Sequence, residues 1–159
     1  MIIPKIMTID SKQMVGMRLQ MSLIDNKTGD LFRKFMPRKK EIRNVISDGV
    51  YALQQYDFKT FTPQTVFEKW ACVETKDPIN IPIEMETFTL SGGLYAIFIH
   101  KGTTQDFVKS MGYITQVWLP DSLYKMDHSR PHFEYLSEKY LGPNNPLSEE
   151  EIWIPISLQ

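Results

Sequence analysis

A glutamate lies between two aromatic residues in the segment RPHFEYL, residues 130–136. In an extended strand successive side chains point to opposite faces, so Phe133 and Tyr135 share one face and Glu134 takes the other. A strand carboxylate either faces solvent or lies in an apolar pocket, where burial raises its pKa and an organic cation is its natural partner. Aromatic rings around such a pocket add cation–π attraction of about 0.5–2 kcal/mol each. Glu134 is therefore the first candidate for ligand chemistry.

Other reactive side chains offer little by comparison. The single Cys72 excludes an internal disulfide and a cysteine-based metal cluster. Of the three histidines, at positions 100, 128 and 132, the last two are four residues apart, but residues 130–138 are a predicted strand and not the helix on which such a pair binds zinc. His100 and His132 are candidate bases, but no nucleophile is placed beside them. Gly92 and Gly93 lack the further glycines of a dinucleotide fingerprint. The sequence thus predicts no metal site and no cofactor.

Aromatic residues make up 12% of the chain and supply candidates for the walls of a pocket. Trp118, near the end of a predicted helix, is either a core side chain or a pocket wall. Trp70 and Glu74 share one strand face, where Glu74 is either a second acid or an exposed strand end. The predicted ligand-binding residues are Glu134, Trp118, Trp70, Tyr95, Phe98, Tyr51 and Tyr56.

Charge and hydropathy are those of an ordinary globular protein. The net charge is −1, with 42% hydrophobic and 23% charged residues, so nothing draws the chain to nucleic acid or to an anionic membrane. The basic run at residues 33–43 contains Glu41 and is typical of a solvated helix face. No secretory signal and no apolar run of about 20 residues is present. These patterns predict a cytoplasmic protein.

The predicted strands and helices that position these residues occur in the same order in both halves of the chain. That order is strand, strand, helix, strand, strand, as period-two and helical spacings indicate. The predicted segments are 4–25, 31–46, 48–58 and 67–75 in the first half, and 85–102, 103–122, 130–138 and 149–157 in the second. Asp30 is the predicted cap of the first helix, and Pro37 is expected to interrupt it. Thr103 or Thr104 is the predicted cap of the second helix, and Pro120 marks its end.

Weak identities support an internal duplication. Gly16 matches Gly92 and Asp30 matches Asp106, both at an offset of 76 residues, and Gln55 matches Glu134 at 79. We expect one domain over residues 1–159, built of two repeats at approximately 1–80 and 81–159. A ligand site between the repeats is the geometric expectation, because pockets favour such interfaces.

An ordered series of segments also resembles a known family. GGLYAIFIHKG, VWLPDS, RPHFEYL and EIWIPI resemble the C-terminal half of the GyrI-like, or AraC-type effector-binding, family. LFRKFMPRKKEI and FEKWACVE resemble its N-terminal half, so the resemblance covers nearly the whole chain. It implies an α+β fold of SOUL-like type, a pseudo-twofold duplicated βαββ unit with an antiparallel sheet and two main helices.

The resemblance implies a binding function. Members of the family bind small, often lipophilic or cationic, compounds between the two halves, and the family's acid late in the second half matches Glu134. Many relatives carry a helix-turn-helix region, for which 159 residues leave no room. We therefore expect a stand-alone effector-binding domain that contacts neither nucleic acid nor membrane directly.

Two alternatives remain open. Some stand-alone relatives hydrolyse strained cyclopropane-type electrophiles, which would make Glu134 catalytic. Others inhibit gyrase, which would make this chain a protein-binding module with a topoisomerase partner. Binding is favoured over catalysis, and whether the chain is an enzyme is left undecided.

Overall fold

Alternating apolar residues form the strands of a large antiparallel sheet. The structure, a computed structural model, describes residues 3–159. Within those residues the strands are β1 (Lys5–Ile9), β2 (Lys12–Met21), β3 (Val50–Gln54), β4 (Phe67–Thr75), β5 (Glu86–Leu90), β6 (Gly93–Lys101), β7 (Tyr124–Met126), β8 (His132–Leu136) and β9 (Glu149–Leu158). The two main helices are α1 (Thr28–Phe35) and α2 (Thr104–Tyr113). The predicted α+β class with two main helices is confirmed.

Helix α1 is short and amphipathic. Leu31 and Phe35, four residues apart, are both buried against the sheet. The predicted cap at Asp30 is wrong, because the helix has already begun after Lys27, whose carbonyl accepts from the Leu31 amide at 2.9 Å. Pro37 lies at the start of the 3₁₀ segment Met36–Glu41 that follows, as its missing N–H and fixed φ allow.

Helix α2 begins at a capping box. The Asp106 amide donates to Thr103 Oγ1 at 3.4 Å, and the Thr103 amide donates to Asp106 Oδ2 at 3.0 Å. The helical path continues through the π segment Ile114–Trp118 and ends with the turn Leu119–Asp121, one residue beyond Pro120. No helix in residues 3–159 is long and apolar enough to cross a membrane.

The order of the strands displays the duplication. The sheet runs β1-β6-β9-β8-β3-β4-β2-β5, with β7 paired to β9. The central pair, β8 and β3, contributes one strand from each half. The first strand of each half crosses to the other half, since β1 pairs with β6 and β5 pairs with β2. The two halves are therefore interlocked through three strand pairings.

The strands β2 and β6 begin 81 residues apart, at Lys12 and Gly93, whereas β3 and β8 begin 82 residues apart, at Val50 and His132. The helices are separated by 76, from Thr28 to Thr104. The match of Gly16 with Gly92 at 76 is therefore wrong for the strands, because the connections between strand and helix differ in length. Gly16 corresponds to Ile97 instead.

The two faces of the sheet are covered differently. On one, which we call the helix face, α1 and α2 each pack over the strands of their own half. The other, the inner face, buries Met14, Leu53, Tyr95 and Phe133 to 1% exposure or less. Its apolar cluster draws on strands of both halves and contains no helix residue. The sheet must therefore fold back upon itself to exclude water from this face.

Candidate functional site

Glu134 lies on the helix face, near the middle of the sheet. Its Cα partners are Ala52 on β3 and Ile152 on β9. Because α1 and α2 cover the outer strands of that face, Glu134 occupies the strip between them. We call this region the central strip and define it by its polar floor: Gln54, Lys69, His132, Glu134 and Glu150.

Gln54 holds the Glu134 carboxylate. Its Nε2 donates to Glu134 Oε2 at 2.9 Å and to the backbone oxygen of His132 at 3.2 Å. Glu134 is half-buried, and burial raises its pKa above the usual value, although Lys69 and the Gln54 hydrogen bond oppose that rise. The carboxyl group therefore keeps its proton to a higher pH than a solvated glutamate does.

A second carboxyl group shares the floor. Glu150 on β9 faces the same side, opposite His100 on β6. Burial raises the pKa of Glu150 to about 7, with a further contribution from the charge of Glu134. Burial also raises the pKa of the nearby Tyr140, to which Glu150 and then Glu134 contribute. The charge of Glu134 therefore reaches Glu150 across the floor.

The basic groups of the floor differ in charge. Lys69 on β4 is half-buried and lies opposite Gln54. His132 is buried, and burial, followed by the charges of Lys69 and His128, lowers its pKa to about 3. Its imidazole is neutral, and Nδ1 is buried without a hydrogen-bond partner in residues 3–159. Those residues contain no cluster of His, Cys, Asp and Glu arranged to hold a metal ion.

Aromatic rings from the loop between β3 and β4 lie over the floor. Tyr56 stacks on Phe61 with ring centroids 3.9 Å apart and meets the His132 ring edge-on at 4.7 Å. Phe58 meets His132 at 4.8 Å. Burial, followed by the charge of Glu134, raises the pKa of Tyr56 to about 12. A ligand that reached the carboxylates would therefore contact aromatic faces at once.

Three of the predicted pocket residues lie on the inner face. Tyr51 pairs with Tyr135 and is buried, Tyr95 is fully buried, and the half-buried Trp70 packs on Phe88 with ring centroids 4.3 Å apart. Strand alternation sets each of them on the side opposite Glu134. The structure does not bring these three residues to the central strip.

Phe98 lies on the helix face of β6, and Trp118 lies in the π segment that continues α2 over that face. Phe98 is fully buried, and the Trp118 ring meets it edge-on at 5.1 Å. Both belong to the apolar cluster that holds α2 on the sheet. Of the predicted aromatic set, only Tyr56 lies with Glu134.

The two predicted polar neighbours also lie elsewhere. Glu74 is on the inner face, where it accepts from Lys12 Nζ at 3.3 Å and from the Tyr51 hydroxyl at 3.4 Å. Gln55 is exposed and donates to the backbone oxygen of His128 at 2.9 Å. The match of Gln55 with Glu134 is therefore wrong, because the starts of β3 and β8 make Ala52 the equivalent of Glu134. The side chain that reaches the carboxylate is that of Gln54, which has the required strand parity.

Two residues of the floor were not selected as candidates from the sequence, although strand alternation could have indicated them. Lys69 and Glu150 alternate in step with Ala71 and Ile152, which are buried on the helix face. A charged residue that strand alternation places on the buried face of a strand is a candidate site residue for that reason alone. Phe58, Phe61 and Tyr140 lie outside the strands, so no periodicity marked them.

Glu150 predicts a pH dependence of stability. A pKa raised to about 7 in the folded state means that the folded chain holds this proton at a pH where the unfolded chain has released it. Unfolding free energy should therefore fall as pH rises from about 4.5 to 7, by roughly 1–2 kcal/mol after allowance for solvent screening. Chemical denaturation across that range measures it. Glu150→Gln should flatten this part of the profile, and an unchanged slope in the variant would contradict the assignment.

Comparison with known proteins identifies relatives. The profile described as a GyrI-like small molecule binding domain matches residues 4–157. The transcriptional regulator BrlR of Pseudomonas aeruginosa is 29% identical over 146 residues, which cover 89% of this chain and 51% of BrlR. The chain thus spans about half the length of that curated relative.

Solved structures share the fold at low identity. The C-terminal domain of EcmrR superposes with a TM-score of 0.76 at 13% identity, covering 100% of this chain and 99% of that one. SAV2435 bound to tetraphenylphosphonium gives a TM-score of 0.67 at 13% identity, covering 97% and 93%. At this identity the likeness shows the fold.

Proposed function

The chain belongs to the GyrI-like family of small-molecule binding domains, and on that premise we propose that it binds a lipophilic organic cation over the central strip. Glu134 supplies the counter-charge, and the aromatic loop supplies the walls. The fold sets both helices back from the centre of the sheet, so a flat or bulky apolar ligand approaches Glu134 between them.

The observation that carries the proposal is the placement of Glu134. The carboxylate is half-buried, and within residues 3–159 its one side-chain hydrogen bond comes from the neutral Gln54. An ion in that position is stabilised by an opposite charge that sheds little hydration energy on entry, as a large organic cation does. Tyr56 and its stacked neighbour Phe61 add cation–π attraction.

The ligand must part these rings to enter. Tyr56 and Phe61 are in stacking contact, and their loop joins two strands without regular structure of its own. Movement of the loop over residues 55–66 is therefore part of the binding step.

A solved neighbour supports the ligand class. SAV2435, which shares the fold, is bound to tetraphenylphosphonium. That compound has one delocalised positive charge inside an apolar shell of four phenyl rings. The same combination suits a floor of carboxyl groups beneath aromatic rings.

Calorimetric titration of the protein tests the proposal. Tetraphenylphosphonium is expected to bind with saturation and at least about tenfold more tightly than the neutral triphenylphosphine oxide, because only the cation interacts with Glu134. Its affinity should rise as the pH rises through the titration of Glu134, since the ionised form attracts it. Equal affinities for the two compounds, or no saturable binding of the cation, would refute the proposal.

A further inference from the structure

Lys69 brings a positive charge into a site proposed to bind cations. Its Cα partner on β3 is Gln54, the residue that holds Glu134. The side chain is half-buried. Among residues 3–159 its ammonium group makes no ion pair within 4.0 Å. A half-buried ammonium group without a close partner affects the site through its field rather than through one contact.

The internal pseudo-symmetry relates Lys69 to an acidic residue of the other half. Lys69 pairs with Leu19 of β2, and Glu150 pairs with His100 of β6. Leu19 and His100 are themselves 81 residues apart, the offset between these equivalent strands. Lys69 and Glu150 are therefore pseudo-symmetric positions, one in each half, with opposite charges and with Glu134 on a strand between them.

The field of Lys69 reaches the whole floor. Burial raises the pKa of Glu134 and of Glu150, and Lys69 opposes the rise in both. Burial lowers the pKa of His132, and Lys69 lowers it further. With His132 neutral, the floor has two carboxylates and one ammonium group when both acids are ionised. Its net charge is then −1.

We propose that Lys69 is a specificity-determining residue that offsets one of the two carboxylates and restricts the central strip to ligands with a single positive charge. The proposal rests on the proposed function, since it concerns the same site. A monocation neutralises the floor completely. A second cationic centre on the ligand would meet the Lys69 ammonium group, and repulsion between like charges in a partly desolvated site opposes its binding.

A pair of matched probes tests this selectivity. Butyltriphenylphosphonium carries one charge, and two triphenylphosphonium groups joined by a butane chain carry two. Affinities for both are measured calorimetrically, at a pH well above the Glu150 pKa of about 7, with wild type, Lys69→Met and Lys125→Met. Lys125 is exposed on β7 and serves as the matched control.

Lys69→Met is expected to improve the affinity for both probes, and the improvement for the dication should exceed that for the monocation by about tenfold. The reason is that the substitution removes two repulsions with Lys69 for the dication but only one for the monocation. Lys125→Met should change neither affinity. Comparing the ratio of the two affinities between variants cancels the difference in size between the probes. Lys69→Gln, which keeps a polar side chain, should reproduce the effect and separates it from loss of packing.

The outcomes separate the two proposals. If wild type binds neither probe with saturation, both the proposed function and the role of Lys69 fail. If wild type binds the monocation but the Lys69 variants leave the ratio of affinities unchanged, the role of Lys69 fails alone. An equal gain for both probes also overturns it, because that result reports a change in packing or access.

Discussion

Glu134→Gln is expected to weaken the binding of tetraphenylphosphonium by roughly 10- to 100-fold, the effect of removing a charged partner from a partly desolvated contact. The substitution keeps the size of the side chain and its ability to bond Gln54. Only the negative charge is lost. Calorimetric titration of wild type and variant measures the change.

The fold should survive this substitution. Burial raises the pKa of Glu134 in the folded state, so ionisation of this group disfavours folding at a pH above its unfolded pKa. The Gln variant should therefore be at least as stable as wild type near neutral pH. Weak binding by a variant that unfolds at the wild-type denaturant midpoint isolates the electrostatic role.

Glu74→Gln is the matched control for this prediction. Glu74 is also a half-buried strand glutamate, but it lies on the inner face with Lys12 and Tyr51. Its substitution should leave the affinity for tetraphenylphosphonium within about twofold of wild type, since the sheet separates the two acids. Equal losses in the Glu74 and Glu134 variants would indicate a general charge effect and contradict a site at Glu134.

Phe133→Ala is expected to lower the free energy of unfolding by about 3–5 kcal/mol, as for other fully buried phenylalanines. Phe133 is 0% exposed on the inner face. Its ring stacks on Trp153 at 5.1 Å and lies 5.4 Å from both Tyr51 and Tyr95. Removing it opens a cavity where strands of both halves meet, and urea denaturation measures the loss.

The neighbours Phe133 and Glu134 should therefore have separable effects. Molecules of Phe133→Ala that remain folded should bind the cation with near wild-type affinity, because the deleted ring lies on the other face. Phe61→Ala, which removes a half-buried ring of the loop, should cost less stability and weaken binding more. A Phe133→Ala variant within about 1 kcal/mol of wild type would show that the inner face is not tightly packed.

The sequence could predict the strands because period-two alternation follows from the chain geometry alone. It assigned Phe133 and Tyr135 to one face and Glu134 to the other, and the structure has that arrangement. It also predicted the order of the elements apart from the short strand β7, and a helix cap at Thr103 or Thr104, of which the structure has Thr103. The resemblance of the ordered segments to GyrI-like domains is confirmed over residues 4–157.

Pocket membership could not be predicted in the same way. An aromatic residue on a strand packs equally well on either face, so composition favoured Tyr51, Trp70 and Tyr95 as readily as Tyr56. The pairing of the strands decides between them. It sets the first three on the inner face, within the apolar cluster to which both halves contribute.

What the sequence determined by itself was the parity of each strand, the duplicated order and the one acid to examine. Only the tertiary structure decided which residues surround Glu134. Gln54 and Glu134 are 80 residues apart in the chain and meet because β3 and β8 pair across the two halves. Lys69 and Glu150 join them through the pairings of β4 and β9. Parity is a local property of the backbone, whereas register between distant strands depends on the packing of the whole sheet.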